Sequence, residues 1–183
     1  MRSLPKKGNR IATEEQLDQR AKFRLMAQFL APLRSELSAY FGQPTEDKSR
    51  VNLAASYHIR EAVTGTYPNY AVDYPKTIVT KGELLGLDGA ETATQTGAVV
   101  NVSWADNSGQ SQAKADDVLL LFFYNHQLKL WEYREAATRS AETVGVSLPQ
   151  GWTGNTVHCW VSIAASDGKL VANSVYMGAL ILL

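Results

Sequence analysis

The chain has 183 residues, of which 45% are apolar and 20% charged, a globular composition at a length that folds without disulfides or a structural metal. The net charge is zero, but residues 1–50 hold ten Lys or Arg against six Asp or Glu, whereas residues 51–183 hold eight against twelve. The one cysteine excludes an intramolecular disulfide scaffold, and no apolar run is long enough to predict a membrane span.

The first twelve residues are predicted to form an extended basic arm that carries Arg2, Lys6, Lys7 and Arg10 and no acid. Such an arm can bind nucleic acid, but no nucleic-acid-binding motif accompanies it, so a nucleic-acid partner is not expected. No apolar segment of a signal peptide follows the arm. The expectation is a cytoplasmic protein, with release in an assembled particle left open.

A first helix is predicted to begin after Thr13, which forms a capping box with Gln16. It carries a wide apolar stripe that includes Met26, Leu30, Leu33 and Leu37. Pro32 removes a helical hydrogen bond, so a kink or break is predicted over residues 28–31. Gly42 and Pro44 end this helix, and residues 51–63 form a second one that stops near Gly65.

From Thr66 onward the helical periodicity gives way to alternation of apolar and polar residues, which is typical of strands. The strand over 118–124 is apolar on both faces and is expected to be central. The predicted fold is α+β, with a basic arm and helical region over 1–65 and an immunoglobulin-like or fibronectin-III-like antiparallel β-sandwich over 66–183. The predicted strands cover residues 70–74, 77–80, 98–104, 118–124, 128–134, 141–148, 156–164 and 170–182.

Several stretches of the sequence resemble a family that is known only as a domain of unknown function and is common in Bacteroidota. The resemblance implies a compact architecture but no activity and no functional residues. The stretches are MRSLPKKGNRIATEEQLDQRAKF, FLAPLRSEL, AVTGTYPNYAVDYPK, VSWADNSG, AKADDVLLLFFYN, AATRSA, LPQGWTGNTVHCWV and ASDGKLVANSVYMG.

The sequence contains no recognisable constellation for catalysis, a cofactor or a metal. His58, His126 and His158 are far apart in the sequence and lack ligand spacing, so neither a metal nor a cofactor is predicted. Cys159 alternates with apolar residues, which favours a core position over a nucleophile. The protein is therefore predicted not to be an enzyme.

The carboxylates of Asp116 and Asp117 are adjacent on a predicted strand and cannot share a proton, because neighbouring side chains point to opposite faces. They are interpreted as a solvated strand entry. The less favoured alternative is a Ca²⁺ site formed with Asp106 and Asn107 at one end of the sandwich.

Two features point to an interaction module. The helical stripe exceeds what one helix needs, and the C-terminal strand is apolar to its last residue, so the leading hypothesis is a structural or protein-interaction module that is a subunit of a homo-oligomer or larger assembly. The alternative is a carbohydrate-binding sandwich with an aromatic platform, although the favoured interpretation of those rings is that they pack beneath the helices. The candidate interaction surface consists of Met26, Leu30, Leu33, Leu37, Trp131, Tyr133, Trp152, Trp160, Leu180 and Leu182.

Overall fold

A computed structural model describes residues 12–183. The predicted basic arm, with Arg2, Lys6, Lys7 and Arg10, lies outside the described residues. The described part of the chain contains three α-helices followed by nine β-strands. It confirms the predicted order of a helical region before an antiparallel sandwich.

The helical region follows the sequence signals closely. Helix α1 (Glu14–Leu30) begins with the predicted capping box, in which both the Thr13 and the Gln16 side chains take part. At Pro32 the chain forms a 3-10 turn and continues as α2 (Arg34–Tyr40), because proline cannot donate the hydrogen bond that an unbroken helix requires. Ser49 then caps α3 (Arg50–Glu61), which packs against both α1 and α2.

A short hairpin and an irregular segment connect the helices to the sandwich. Strands β1 (Val63–Thr66) and β2 (Asn69–Val72) pair with each other as a separate two-stranded sheet. The predicted strand over 77–80 is wrong. This segment instead crosses the sandwich, where the Val79 and Thr80 backbone N–H groups donate to the Ser174 hydroxyl.

The remaining seven strands form two antiparallel sheets. A three-stranded sheet has the order β3-β4-β7, and a four-stranded sheet has the order β6-β5-β8-β9. This is a fibronectin-III-like sandwich, as the spacing of strands and turns predicts. The strands are β3 (Asp88–Gln95), β4 (Val99–Ala105), β5 (Val118–Asn125), β6 (Leu130–Thr138), β7 (Thr143–Ser147), β8 (Thr156–Ala164) and β9 (Val175–Ile181).

The four-stranded sheet is the middle of three layers. Along β5, Leu119, Leu121 and Phe123 pack into the sandwich core against the three-stranded sheet. The alternate side chains Leu120 and Phe122 pack against the helices on the opposite face. Strand β5 is thus central, as predicted, and its apolar character on both faces reflects a protein layer on each side.

Strand β3 has no counterpart among the predicted strands. Its side chains are mostly exposed or half-buried, and its sequence DGAETATQ has few large apolar residues. It lies at the edge of the three-stranded sheet, where one face and one edge remain in contact with solvent. The apolar alternation that identifies the other strands is therefore too weak there to be recognised.

Trp104 lies in the core between the two sheets, as its register on β4 predicts. Its side chain is 5% exposed, and its indole Nε1 donates a 2.6 Å hydrogen bond to the Arg139 carbonyl. The indole therefore fills the core and also holds the segment that precedes β7.

Replacing Trp104 with Ala is expected to lower the free energy of unfolding by about 3–5 kcal/mol, because it leaves a cavity and an unpaired carbonyl. Urea denaturation measures the change. The control is Leu128→Ala at an exposed turn residue, which is expected to stay within about 0.5 kcal/mol of wild type. A Trp104→Ala variant as stable as the control would contradict this packing.

Candidate functional site

Seven of the ten predicted interaction residues are buried within the chain and do not form an exposed surface in this structure. Those of the helical region pack with Trp160 in the core between the helices and the four-stranded sheet. Trp152 and Leu182 belong to the core between the two sheets. Trp131, Tyr133 and Leu180 are half-buried. The seven buried residues are Met26, Leu30, Leu33, Leu37, Trp152, Trp160 and Leu182.

The aromatic side chains of the four-stranded sheet pack beneath the helices and the crossing segment, as the favoured interpretation predicts. The Trp131 indole Nε1 donates to the Phe29 carbonyl of α1, and the Trp160 indole donates to the Thr77 carbonyl, each at 2.9 Å. The two indole rings are 5.1 Å apart. Because Trp160 is buried and Trp131 is half-buried against α1, the two rings do not form the open platform that the carbohydrate alternative requires.

The predicted apolar stripe of the helical region, which also includes Phe23, is not covered along its whole length. Phe23 is 58% exposed, and Ala27 and Ala31 follow it at helical spacing on the outer face of α1 and the turn after it. Ile59 of α3 lies next to them. Two adjoining concavities of about 770 and 410 Å³ share these four residues, and together they form what is here called the helical groove.

The charged residues that line the helical groove are all basic. Arg20 and Arg24 of α1 line one end, and Arg34 of α2 lines the other. No Asp or Glu is among the residues that line either concavity. Asp18, the nearest acid of α1 in sequence to these arginines, pairs instead with Lys22 and accepts a hydrogen bond from Tyr70 of the β1–β2 hairpin.

A second group of polar side chains forms where β5 and β8 pair. His126 and His158 are 5.9 Å apart between ring centroids. Tyr74 bonds His126 Nδ1 at 3.0 Å and stacks on His158 at 3.7 Å, while Tyr176 bonds His158 Nδ1 at 2.7 Å. These four residues are here called the histidine–tyrosine cluster.

The fold brings His126 and His158 together although they are far apart in the sequence. His126 follows the end of β5, and His158 lies near the start of the antiparallel strand β8, opposite Tyr124. The register of two strands decides this contact, and the sequence spacing alone does not indicate it. His58 lies elsewhere, buried in α3 with its Nδ1 2.7 Å from the Ala54 carbonyl oxygen.

The surroundings of the histidine–tyrosine cluster keep His158 neutral. The pKa of His158 is lowered to about 4, mainly by burial, and the neighbouring His126 and Lys129 contribute in the same direction. Burial likewise raises the pKa of Tyr74 to about 12, so its hydroxyl keeps its proton at neutral pH. Among the described residues, no group of three or more His, Cys, Asp or Glu is placed to hold a metal ion.

The interpretation of Asp116 and Asp117 as a solvated strand entry agrees with the exposure of Asp116 but is wrong for Asp117. Its side chain is fully buried and accepts from Arg139 Nε and Nη2 at 3.1 and 3.0 Å. The Asn107 side-chain carbonyl accepts from Nη1 of the same arginine at 2.5 Å. Two of the four side chains considered for Ca²⁺, Asn107 and Asp117, therefore bind a guanidinium group, which supplies the positive charge within the protein itself.

Cys159 lies in the core, as its strand alternation predicts. Its thiol is fully buried among the apolar side chains between the two sheets, and burial raises its pKa to about 12. A thiol in this state does not form the thiolate that a nucleophile requires.

Comparison with known proteins identifies a family but no function. The model of a family of unknown function, DUF6266, matches residues 1–178. No curated protein matches the sequence. No helix among residues 12–183 is long and apolar enough to cross a membrane.

Two solved structures are similar to part of this chain. The fibronectin type III domain of the human collagen alpha-1(XX) chain is 14% identical and covers 54% of this chain and 84% of its own, with a TM-score of 0.37. The corresponding domain of human contactin 1 is 7% identical and covers 57% and 83%, with a TM-score of 0.38. Each domain covers little more than half of this chain.

Acidification is expected to destabilise the fold through His158. Because its pKa is about 4 in the folded state and about 6.5 in an unfolded chain, the unfolded state binds more protons between these values. The contribution of His158 therefore makes the free energy of unfolding fall as the pH decreases, by at most about 1.4 kcal/mol per pH unit. Urea denaturation at pH 7 and pH 5 measures it.

The matched variant is His158→Asn, which keeps a polar group near the Tyr176 hydroxyl but cannot titrate. It is expected to lose less stability than wild type between the two pH values. Burial also lowers the pKa of His58, which affects both proteins equally and cancels in the comparison. Identical losses in the two proteins would contradict the role given to His158.

Proposed function

This chain belongs to a family of unknown function, DUF6266, and on that premise we infer that it is a non-enzymatic protein-interaction module. Its partner in this proposal is an acidic, amphipathic helix of another protein, which binds in the helical groove. The observation that carries the proposal is an exposed apolar floor bordered by arginines and by no carboxylate.

The floor of the groove accounts for the apolar half of this recognition. The exposed Phe23 ring provides a large aromatic contact at a surface that is otherwise made of the small side chains Ala27 and Ala31. A neighbouring helix can approach closely over small residues while it packs against a protruding ring. An aromatic anchor next to arginines is also the composition that dominates binding energy at protein interfaces.

The charges of the groove determine which helix fits. Arg20, Arg24 and Arg34 are available to pair with Glu or Asp side chains along the polar edge of a partner helix. The same surface of a second copy of this chain is a poor partner for the groove, because its arginines would repel the arginines of the first copy. The chain's residues 1–11 are a poor occupant for the same reason, since their charged side chains are all basic.

The test uses labelled synthetic peptides and fluorescence anisotropy. A helical peptide with leucine on one face and glutamate on the other is expected to bind saturably, and the same peptide with lysine in place of glutamate is not. The double variant Arg20→Glu/Arg24→Glu is expected to weaken binding by at least about tenfold through lost and reversed charge pairs. Phe23→Asp is expected to do the same.

Two surface variants serve as controls. Arg60→Glu reverses an exposed charge of α3 that does not line the groove, and Leu130→Asp alters an exposed leucine on the sandwich. Both are expected to bind like wild type. Equal weakening by these controls, failure of the acidic peptide to bind, or preferred binding of a single-stranded oligonucleotide would overturn the proposal.

A second candidate function is self-association through β9, in line with the homo-oligomer hypothesis. This strand is at the edge of the four-stranded sheet, with its outer backbone groups unpaired by any other strand among residues 12–183. Val175 and Ile181 are 57% and 63% exposed on it. An exposed apolar edge favours pairing with the same edge of a second copy about a two-fold axis.

Sedimentation equilibrium tests this candidate. Wild type is expected to form a dimer, and Val175→Lys/Ile181→Lys is expected to be monomeric because two lysines at the edge repel a second copy. The control is Leu128→Lys/Leu130→Lys, two similarly exposed leucines near the other edge of the sheet. A wild-type protein that stays monomeric at the highest concentration reached would exclude the candidate.

A further inference from the structure

We propose that the cleft between α1, β2 and the turn that joins β5 to β6 is a binding site for a small aromatic carboxylic acid. This site is separate from the helical groove. Its volume is about 390 Å³, which is within the range of small-ligand sites. It is here called the aromatic cleft.

The walls of the aromatic cleft suit a flat ring. Phe29, Tyr74 and Tyr124 line it, with Phe29 centred 5.0 Å from Tyr124 and 6.0 Å from Tyr74. Leu25 and Val72 extend the apolar lining. A planar aromatic ligand gains stacking and edge-to-face contacts with such rings in addition to the burial of its surface.

The charged groups of the cleft select an anion. Lys129 and His126 are on the turn that lines one side, and no carboxylate is among the lining residues. Tyr74 and His126 Nδ1 share a 3.0 Å hydrogen bond, and with the Tyr74 hydroxyl as donor the imidazole carries its N–H on Nε2. An ammonium and an imidazole N–H together suit a carboxylate group.

The turn that carries these two groups is held in place before any ligand binds. Buried Asn125 accepts the Lys129 N–H on its backbone carbonyl and the Leu128 N–H on its side chain. Gln127 and Thr156 exchange two further hydrogen bonds, at 3.0 and 3.4 Å. Because the turn is already fixed, its backbone at Lys129 and His126 loses less conformational entropy when a ligand binds.

The same lining argues against a neutral sugar. Sugar hydroxyl groups need several hydrogen-bond acceptors, and the side chains that line the cleft include no carboxylate, one amide, that of Gln28, and otherwise the tyrosine hydroxyls as acceptors. The site therefore favours a ligand whose polar part is one compact anion.

Isothermal titration calorimetry with 2-naphthoate, its neutral analogue 2-naphthalenemethanol and the disaccharide cellobiose tests the proposal on the full chain. Naphthoate is expected to bind saturably and more tightly than the other two. Lys129→Met is expected to weaken naphthoate binding by about tenfold and to leave the neutral analogue unchanged. The change is at an exposed residue, so the fold is expected to persist.

Two controls separate this site from other surfaces. Lys169→Met removes an exposed lysine on a distant turn, and Phe23→Asp alters the helical groove. Both are expected to bind naphthoate like wild type. No saturable binding of naphthoate, equal affinity in Lys129→Met and wild type, or tighter binding of cellobiose would overturn the proposal. A loss of binding in Phe23→Asp would place naphthoate in the groove and overturn it as well.

Discussion

The structure depends on one sheet that is apolar on both faces. Strands β5 and β8 send large side chains alternately into the sandwich and away from it, so that Phe123 and Cys159 face one layer while Phe122 and Trp160 face the other. An antiparallel sandwich ordinarily leaves its outer faces in water. Here the outer face of the larger sheet would expose several aromatic rings, and the helical region covers them.

Because it covers the sheet, the helical region has a side that packs within the chain and a surface that stays exposed. On α1, Met26 and Leu30 pack within the chain, and the Phe29 carbonyl accepts from Trp131. At the edge of this packed side, Phe23 stays at the surface next to a set of arginines. A helix that served only as a cover would have a polar outer face, so the exposed aromatic and basic face supports a role in binding.

The interior also contains polar groups that fix how the layers meet. Arg139 is fully buried and donates to Asp117, Asn107 and the carbonyls of Leu85 and Gly86 at one end of the sandwich. A buried guanidinium is costly to desolvate unless its donors are paired in this way. The network therefore connects the segments before β3, after β4, before β5 and before β7.

The sequence by itself determined the elements whose signals are local: the Thr13 cap, the break at Pro32, and the alternation that places Trp104 and Cys159 in the core. Such signals depend on neighbours within a few residues, and the physics of capping and side-chain period is the same in any fold. Only the tertiary structure decided which apolar residues are buried by packing and which histidines lie close together. Those outcomes depend on strand register and on contacts between layers, which join residues about a hundred positions apart, such as Phe29 and Trp131, and which no local pattern contains.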